Sequence, residues 1–329
     1  SAISWQALGS QGRAFVAGVT PTAQLTSFSG RSAKDPIRVF VGIDSARTPD
    51  QRARLVVEEL ERFGAFDRAV IAIGTSAGSG TVDPGEVTPL EYLLNGDVAT
   101  ASTQYSILPS FLSFAVDRPN SVTESVAVLD AVRDRLEAVP AVQRPRLVVF
   151  GESLGAYGAN GAFANLDDLI EMTDGAMFQG PPNATAMWRD YTDQRQPGTP
   201  EHLPVYDAGT HLRWANQPSD LSQPPTPFRA PRAVYLQNAS DPVVWWSPDV
   251  LWARPDWLGE PRGPGVLTWP WLPVITFAGL SGDMMNSQGV PAGHGHVYGT
   301  DPVAAWADIL RPAGWSAADT ARLEQHLGG

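Results

Sequence analysis

The pentapeptide Gly151-Glu152-Ser153-Leu154-Gly155 constrains this chain more than any other feature. It follows an apolar run, residues 147–150, that reads as a buried strand, and the residues from Ala156 onward read as a helix. A strand that turns sharply into a helix brings backbone segments very close together. Glycines two residues before and two after the serine permit that approach. The turn also holds the serine hydroxyl out from the sheet edge. A serine hydroxyl is a weak nucleophile at neutral pH and needs such a fixed position beside a base. The bland alternative is a glycine-rich turn with a buried serine.

The surrounding pattern supplies the context that such a turn requires. Apolar runs at residues 37–43, 69–73, 101–108, 147–150, 176–178, 233–236 and 274–277 read as strands. Helical spacing appears at residues 49–63, with Leu55, Val56, Leu60 and Phe63, and at residues 122–138, with Val122, Val126, Leu129, Val132 and Leu136. Residues 90–94, 159–170, 304–310 and 317–327 complete the expected helices. Strands alternating with helices predict a mostly parallel sheet covered on both faces. At 43% hydrophobic and 18% charged residues, the 329-residue chain has ample material for one large core. Residues 1–30 read as an arm with little regular structure, and residues 31–329 as one catalytic domain. Insertions are expected at residues 181–232 and 245–271.

A nucleophilic serine needs an acid and a base, and in this arrangement they follow it in that order. Asp241 comes just after the run at residues 233–236, where a carboxylate would point into the crevice at the strand ends. It would hold an imidazole in the right tautomer and stabilise the imidazolium; otherwise it is a turn Asp before Pro242. Of the five histidines, His294 and His296 stand in Gly293-His294-Gly295-His296, after the last predicted strand. His296 is the preferred base, because Val297 and Tyr298 would anchor the loop; His294 stays open as the alternative. A metal pair at these two histidines lacks a third ligand, so neither a metal nor a cofactor is expected. His202 and His211 are expected to be solvated, and His326 to sit favourably near the end of the last helix.

The N–H of Leu154 is the expected first oxyanion donor. The second is sought at Thr75, within Gly74-Thr75-Ser76-Ala77-Gly78, with Ile43-Asp44-Ser45-Ala46 as the rival segment. Between acid and base, residues 245–271 hold six of the eleven tryptophans. Trp245 and Trp246 are the candidate substrate-binding pair, since a shelf of rings suits an acyl chain, a sugar face or a lipid interface. Plain packing under a long loop is the other reading.

Charge and cysteine content exclude several classes. A net charge of −12 argues against nucleic acid as a partner, and the absence of cysteine excludes disulfides and thiolate catalysis. No stretch of 18 apolar residues suggests a membrane span.

Five phrases together resemble an actinobacterial α/β-hydrolase family. They are Arg38-Val39-Phe40-Val41-Gly42, Phe63-Gly64-Ala65-Phe66-Asp67-Arg68, Gln104-Tyr105-Ser106-Ile107-Leu108-Pro109-Ser110, Phe150-Gly151-Glu152-Ser153-Leu154-Gly155 and Gly293-His294-Gly295-His296-Val297-Tyr298. The resemblance runs from about Gly12 to the end. It implies an α/β-hydrolase fold and a site of Ser153, Asp241 and one of the paired histidines. Members of that family join a multi-span membrane region to a C-terminal catalytic domain. The resemblance therefore implies a tether preceding Ser1 and a setting at the outer face of the membrane. The sequence departs from the family at residues 74–84, which are less rich in Pro and Thr than the family loop.

The expected activity is cleavage of a carboxylic or lipid ester through an acyl-enzyme on Ser153. The alternatives are transfer of the acyl group to a sugar or protein hydroxyl, and a binding module that kept the fold without catalysis.

Overall fold

The computed structural model describes residues 3–108, 113, 117–268 and 270–328. Pro109, Ser110 and Trp269, singled out above, lie outside the described residues.

Seven strands form one parallel sheet: β1 (Ile37–Val41), β2 (Val70–Thr75), β3 (Val98–Thr103), β4 (Arg146–Glu152), β5 (Gly175–Gln179), β6 (Leu212–Ala215) and β7 (Arg232–Leu236). Their order across the sheet is β1-β3-β2-β4-β5-β7-β6. Almost every strand residue is buried, as expected when helices cover both faces. The helices are α1 (Gly9–Ala17), α2 (Thr22–Ser29), α3 (Pro49–Arg62), α4 (Pro84–Leu93), α5 (Arg118–Glu137), α6 (Leu154–Asn160), α7 (Leu166–Met172), α8 (Ala186–Asp193), α9 (Pro242–Trp245), α10 (Pro273–Met285), α11 (Asp301–Leu310) and α12 (Ala317–Gly328). Two apolar cores result. One packs Val56 and Leu60 of α3 and Val132 of α5 against one sheet face, and the other packs Val87 and Leu90 of α4 and Trp306 of α11 against the opposite face. No helix among the described residues is long and apolar enough to cross a membrane.

Strand order reverses between β2 and β4. From β2 the chain runs outward to β3, then returns across the sheet to β4 on the other side. Such a switch point leaves a crevice at the carboxyl ends of the two strands, and there α/β sheets bind ligands. Thr75 and Gly151 are register partners at that end.

Four expectations are corrected. Residues 6–17 and 22–29 are helical rather than an irregular arm, and Leu8, Phe15 and Leu25 are buried in the core. Residues 274–277 belong to helix α10, so β7 is the last strand of the sheet. Pro273 at the first helical turn starts a helix that the β-branched run Val274-Ile275-Thr276 does not prevent, because strand propensity is a weak prior. The stretch at residues 181–232 contains α8 and the edge strand β6, whose four residues are too few to stand out as a run. The expected helix 159–170 is two helices, α6 and α7, separated by residues 161–165.

Candidate active site

Ser153 stands at the junction of β4 and α6 with φ 54° and ψ −119°, a conformation that non-glycine residues rarely hold. Neighbouring backbone fixes it there. The Ser153 N–H donates to the Gln179 carbonyl at 2.8 Å, which ties the turn to the end of β5. A Cβ on Gly151 would fall 2.5 Å from the Gly155 carbonyl carbon, and one on Gly155 would fall 2.2 Å from the Thr75 carbonyl oxygen. The glycine spacing in the pentapeptide is thus a packing requirement, and it seats α6 directly on the end of β2.

Asp241 is fully buried after β7 and caps α9, its Oδ1 accepting the Val243 N–H at 2.9 Å. Its Oδ2 accepts from His296 Nδ1 at 2.7 Å and from the Tyr298 hydroxyl at 2.6 Å. A carboxylate acceptor on Nδ1 places the ring proton there and leaves Nε2 as the basic atom. The histidine loop is clamped. Asn238 Nδ2 donates to the Gly295 and Val297 carbonyls at 2.9 and 3.2 Å, and the His296 N–H donates to the Ser287 carbonyl at 2.8 Å. Gly180, at the end of β5, lies flat against the imidazole: a Cβ there would sit 2.4 Å from His296 Cε1.

His296 Nε2 is buried and makes no hydrogen bond among the described residues, so the ring is not bonded to Ser153 in this state. Its close polar neighbour is Glu152 Oε1, at 3.7 Å. The ring therefore stands between two carboxylates, one on each nitrogen. Burial opposes charge on it, but Asp241, Glu152 and Asp83 outweigh burial and push its pKa up to about 9. Burial raises Glu152 to about 7, with His296 pulling it down and Asp83 and Asp241 pushing it further up. Beneath lies Glu86, which is wholly buried; burial, Glu152 and Asp83 raise its pKa well above the ordinary range. Asp83 caps α4, and its Oδ2 accepts from Gln179 Nε2 at 3.3 Å.

The chain thus brings Asp241 and His296 into contact beside the Ser153 turn. His294 is exposed, makes no hydrogen bond to Asp241 among the described residues, and forms a tight turn with Val297. The Leu154 N–H opens α6, where the first amides have no partner within the helix. In the segment after β2, the Ala77 and Gly78 amides are occupied, bonding the Thr81 carbonyl at 2.8 Å and the Tyr105 hydroxyl at 3.0 Å. That leaves Thr75 and Ser76, whose backbone packs against Gly155, as the remaining candidates in this segment. Thr75 Oγ1 itself pairs with Ser125 Oγ at 2.8 Å. The rival Ile43–Ser45 turn follows β1, three strands from β4, about 14 Å away at the usual strand spacing, which is too far to reach the same oxygen.

The tryptophans divide. Trp245 is buried, with its Nε1 donating to the Ala239 carbonyl at 2.7 Å, and it packs against Trp188 and Trp257. Trp246 donates to Ser281 Oγ at 2.9 Å and stacks near Phe277 of α10. His202 and His211 are half-buried rather than solvated: burial lowers the pKa of His202, and His211 Nδ1 contacts the Pro231 carbonyl at 2.9 Å. Sequence reasoning missed Glu152, Asn238 and Tyr298 as site residues. Each lies within three positions of a residue it singled out.

A family model described as "Alpha/beta-hydrolase family" matches residues 37–323. The chain belongs to the alpha/beta-hydrolase family. No curated protein matches this α/β-hydrolase. Among solved structures, an acetylxylan esterase has 17% identity and a TM-score of 0.32, over 54% of this chain and 85% of that chain. A Trichoderma reesei cutinase in complex with a phosphonate inhibitor has 16% identity and a TM-score of 0.27, over 42% of this chain and 66% of that one. At these values neither likeness bears on the site of this α/β-hydrolase.

Proposed function

We propose that this α/β-hydrolase cleaves carboxylic esters through an acyl-enzyme on Ser153. The observation that carries the reading is the buried Asp241–His296 pair, which leaves Nε2 unbonded beside a strained serine turn. In the proposed reaction, Nε2 takes the proton as Ser153 Oγ attacks the ester carbonyl, and Asp241 holds the resulting imidazolium. The developing oxyanion is met by the Leu154 N–H and a backbone donor from Thr75–Ser76. Collapse expels the alcohol, which receives the proton from His296. Water then attacks the acyl-enzyme by the same route and regenerates the serine.

The reading is tested with a fluorophosphonate probe and short p-nitrophenyl esters. Wild type is expected to be labelled once, at Ser153, and to turn over. Ser153→Ala is expected to lose labelling and at least roughly 10³-fold in kcat/KM. Equal labelling of wild type and Ser153→Ala would refute the assignment.

A further inference from the structure

Beside the site, at the same edge of the sheet, lies a cavity of about 480 Å³, within the range of small-ligand pockets. Trp245, Trp257, Leu258, Val266, Ile275 and Leu280 form its apolar walls, drawn from the tryptophan-rich segment and from α10. It adjoins the loops that carry the proposed acid and base, and is lined by their neighbours rather than by Ser153, Asp241 or His296 themselves. Ser240 adjoins Asp241 and Gly295 adjoins His296; both line the cavity, and the Gly295 N–H donates to Ser240 Oγ at 3.1 Å. Among the described residues no lysine or arginine lines it; Asp283 and His294 are its titratable side chains, so an anionic group would find no fixed positive charge inside. The mouth is apolar as well. Leu267 and Ile275 line the cavity while remaining 82% and 56% exposed, so they form an apolar edge that a bound chain would cover.

We propose that this cavity binds the aliphatic chain of the ester substrate, an uncharged acyl group that enters past Leu267 and Ile275 and lies alongside the loop carrying the base. The assignment rests on the ester-hydrolase reading and deepens it: the preferred substrates carry a long alkyl chain rather than an acetyl group. Burying such a chain removes both its own surface and the exposed mouth from water, and the gain grows with each methylene.

Gly279 gives a clean test. It lines the cavity, and a Cβ built there meets nothing within 4 Å, so Gly279→Phe fills the space without a backbone clash. Gly282, on the same helix, is equally unobstructed but does not line the cavity, so Gly282→Phe is the matched control. Ile275→Trp narrows the mouth from an exposed position and serves as a second occluding variant. Each is assayed on p-nitrophenyl acetate and p-nitrophenyl decanoate, and each is titrated with the uncharged dye Nile red. Gly279→Phe and Ile275→Trp are expected to keep acetate turnover and Ser153 labelling. Both are expected to lose roughly tenfold or more in kcat/KM on decanoate, with weaker dye binding. Gly282→Phe should match wild type throughout. Loss of the two esters in equal proportion, or unchanged decanoate turnover in both occluding variants, overturns the proposal. If no ester is turned over by wild type, the hydrolase reading fails by itself, while the dye titration still decides whether the cavity takes an apolar chain.

Discussion

Glu152 is the residue whose chemistry departs furthest from a simple triad. It precedes Ser153, and its carboxylate lies 3.7 Å from the nitrogen that takes the serine proton in the proposed reaction. Because Glu152 is raised to about 7, it becomes charged as pH rises through neutrality, and that charge helps hold the proton on His296. The base form of the ring then appears only as pH approaches about 9, so kcat/KM should climb through the alkaline range. Replacing Glu152 by Gln keeps the shape and removes the charge. The ring then loses its proton at lower pH, and the rising limb is expected to move acidward by roughly one pH unit. The same change removes a charge that favours the imidazolium formed during attack, so the alkaline plateau should fall. A pH–rate profile of Glu152→Gln on a short ester reads both effects; a limb that stays in place would show that the carboxylate does not act on the base.

At the scale of elements, the end of β5 touches both the proposed nucleophile and the proposed base. The Gln179 carbonyl receives the Ser153 amide, and Gly180, at φ +53°, faces the imidazole. A methyl group at position 180 would sit 2.4 Å from His296 Cε1 and 2.8 Å from the Tyr298 hydroxyl, in a conformation that costs a side chain about 1–2 kcal/mol. Gly180→Ala is therefore expected to displace the ring and lower kcat/KM by roughly tenfold or more, with a melting temperature reduced by only a few degrees. Unchanged kinetics would mean that the imidazole is not held against β5. None of this was legible in the sequence, where residues 176–178 read only as a short strand. What could be read were features with a local physical cause: the glycine spacing, the alternation of strands and helices, and an Asp closing a strand. Features set by tertiary packing could not. Val126 is exposed although it fits the helical spacing of α5, because Ser125 and Val128 face the core instead. Phe63 is half exposed where its pattern on α3 called for burial, and Arg52 and Glu59 are buried in its stead. The run at residues 274–277 has strand residues but no neighbouring strand to pair with, and its helix leaves Val274 and Ile275 in solvent.

At the scale of the whole molecule, the sheet separates stability from chemistry. The site lies at the carboxyl ends of β4, β5 and β7, whereas β1 is the far edge strand and carries the tie to the N-terminal helices. Arg38 of β1 pairs with Glu91 of α4 at 2.7 Å, and both side chains are buried. Glu91 also accepts the Thr20 amide at 3.0 Å, while Arg38 Nη1 donates to the Phe15 carbonyl at 3.0 Å, so one ion pair fastens α1, the turn into α2, β1 and α4 together. Removing one charge leaves the other buried without compensation, which costs about 3–5 kcal/mol, whereas replacing both by apolar residues is far milder. Glu91→Gln is therefore expected to lower the stability measured by urea unfolding by that amount, and Arg38→Met with Glu91→Leu to recover most of it. Because three strand spacings separate β1 from β4, kcat/KM of the folded enzyme should stay within about twofold of wild type in both variants. A double variant less stable than Glu91→Gln would show that the pair itself holds the N-terminal helices in place. A large fall in kcat/KM without loss of stability would show that the two edges of the sheet are coupled.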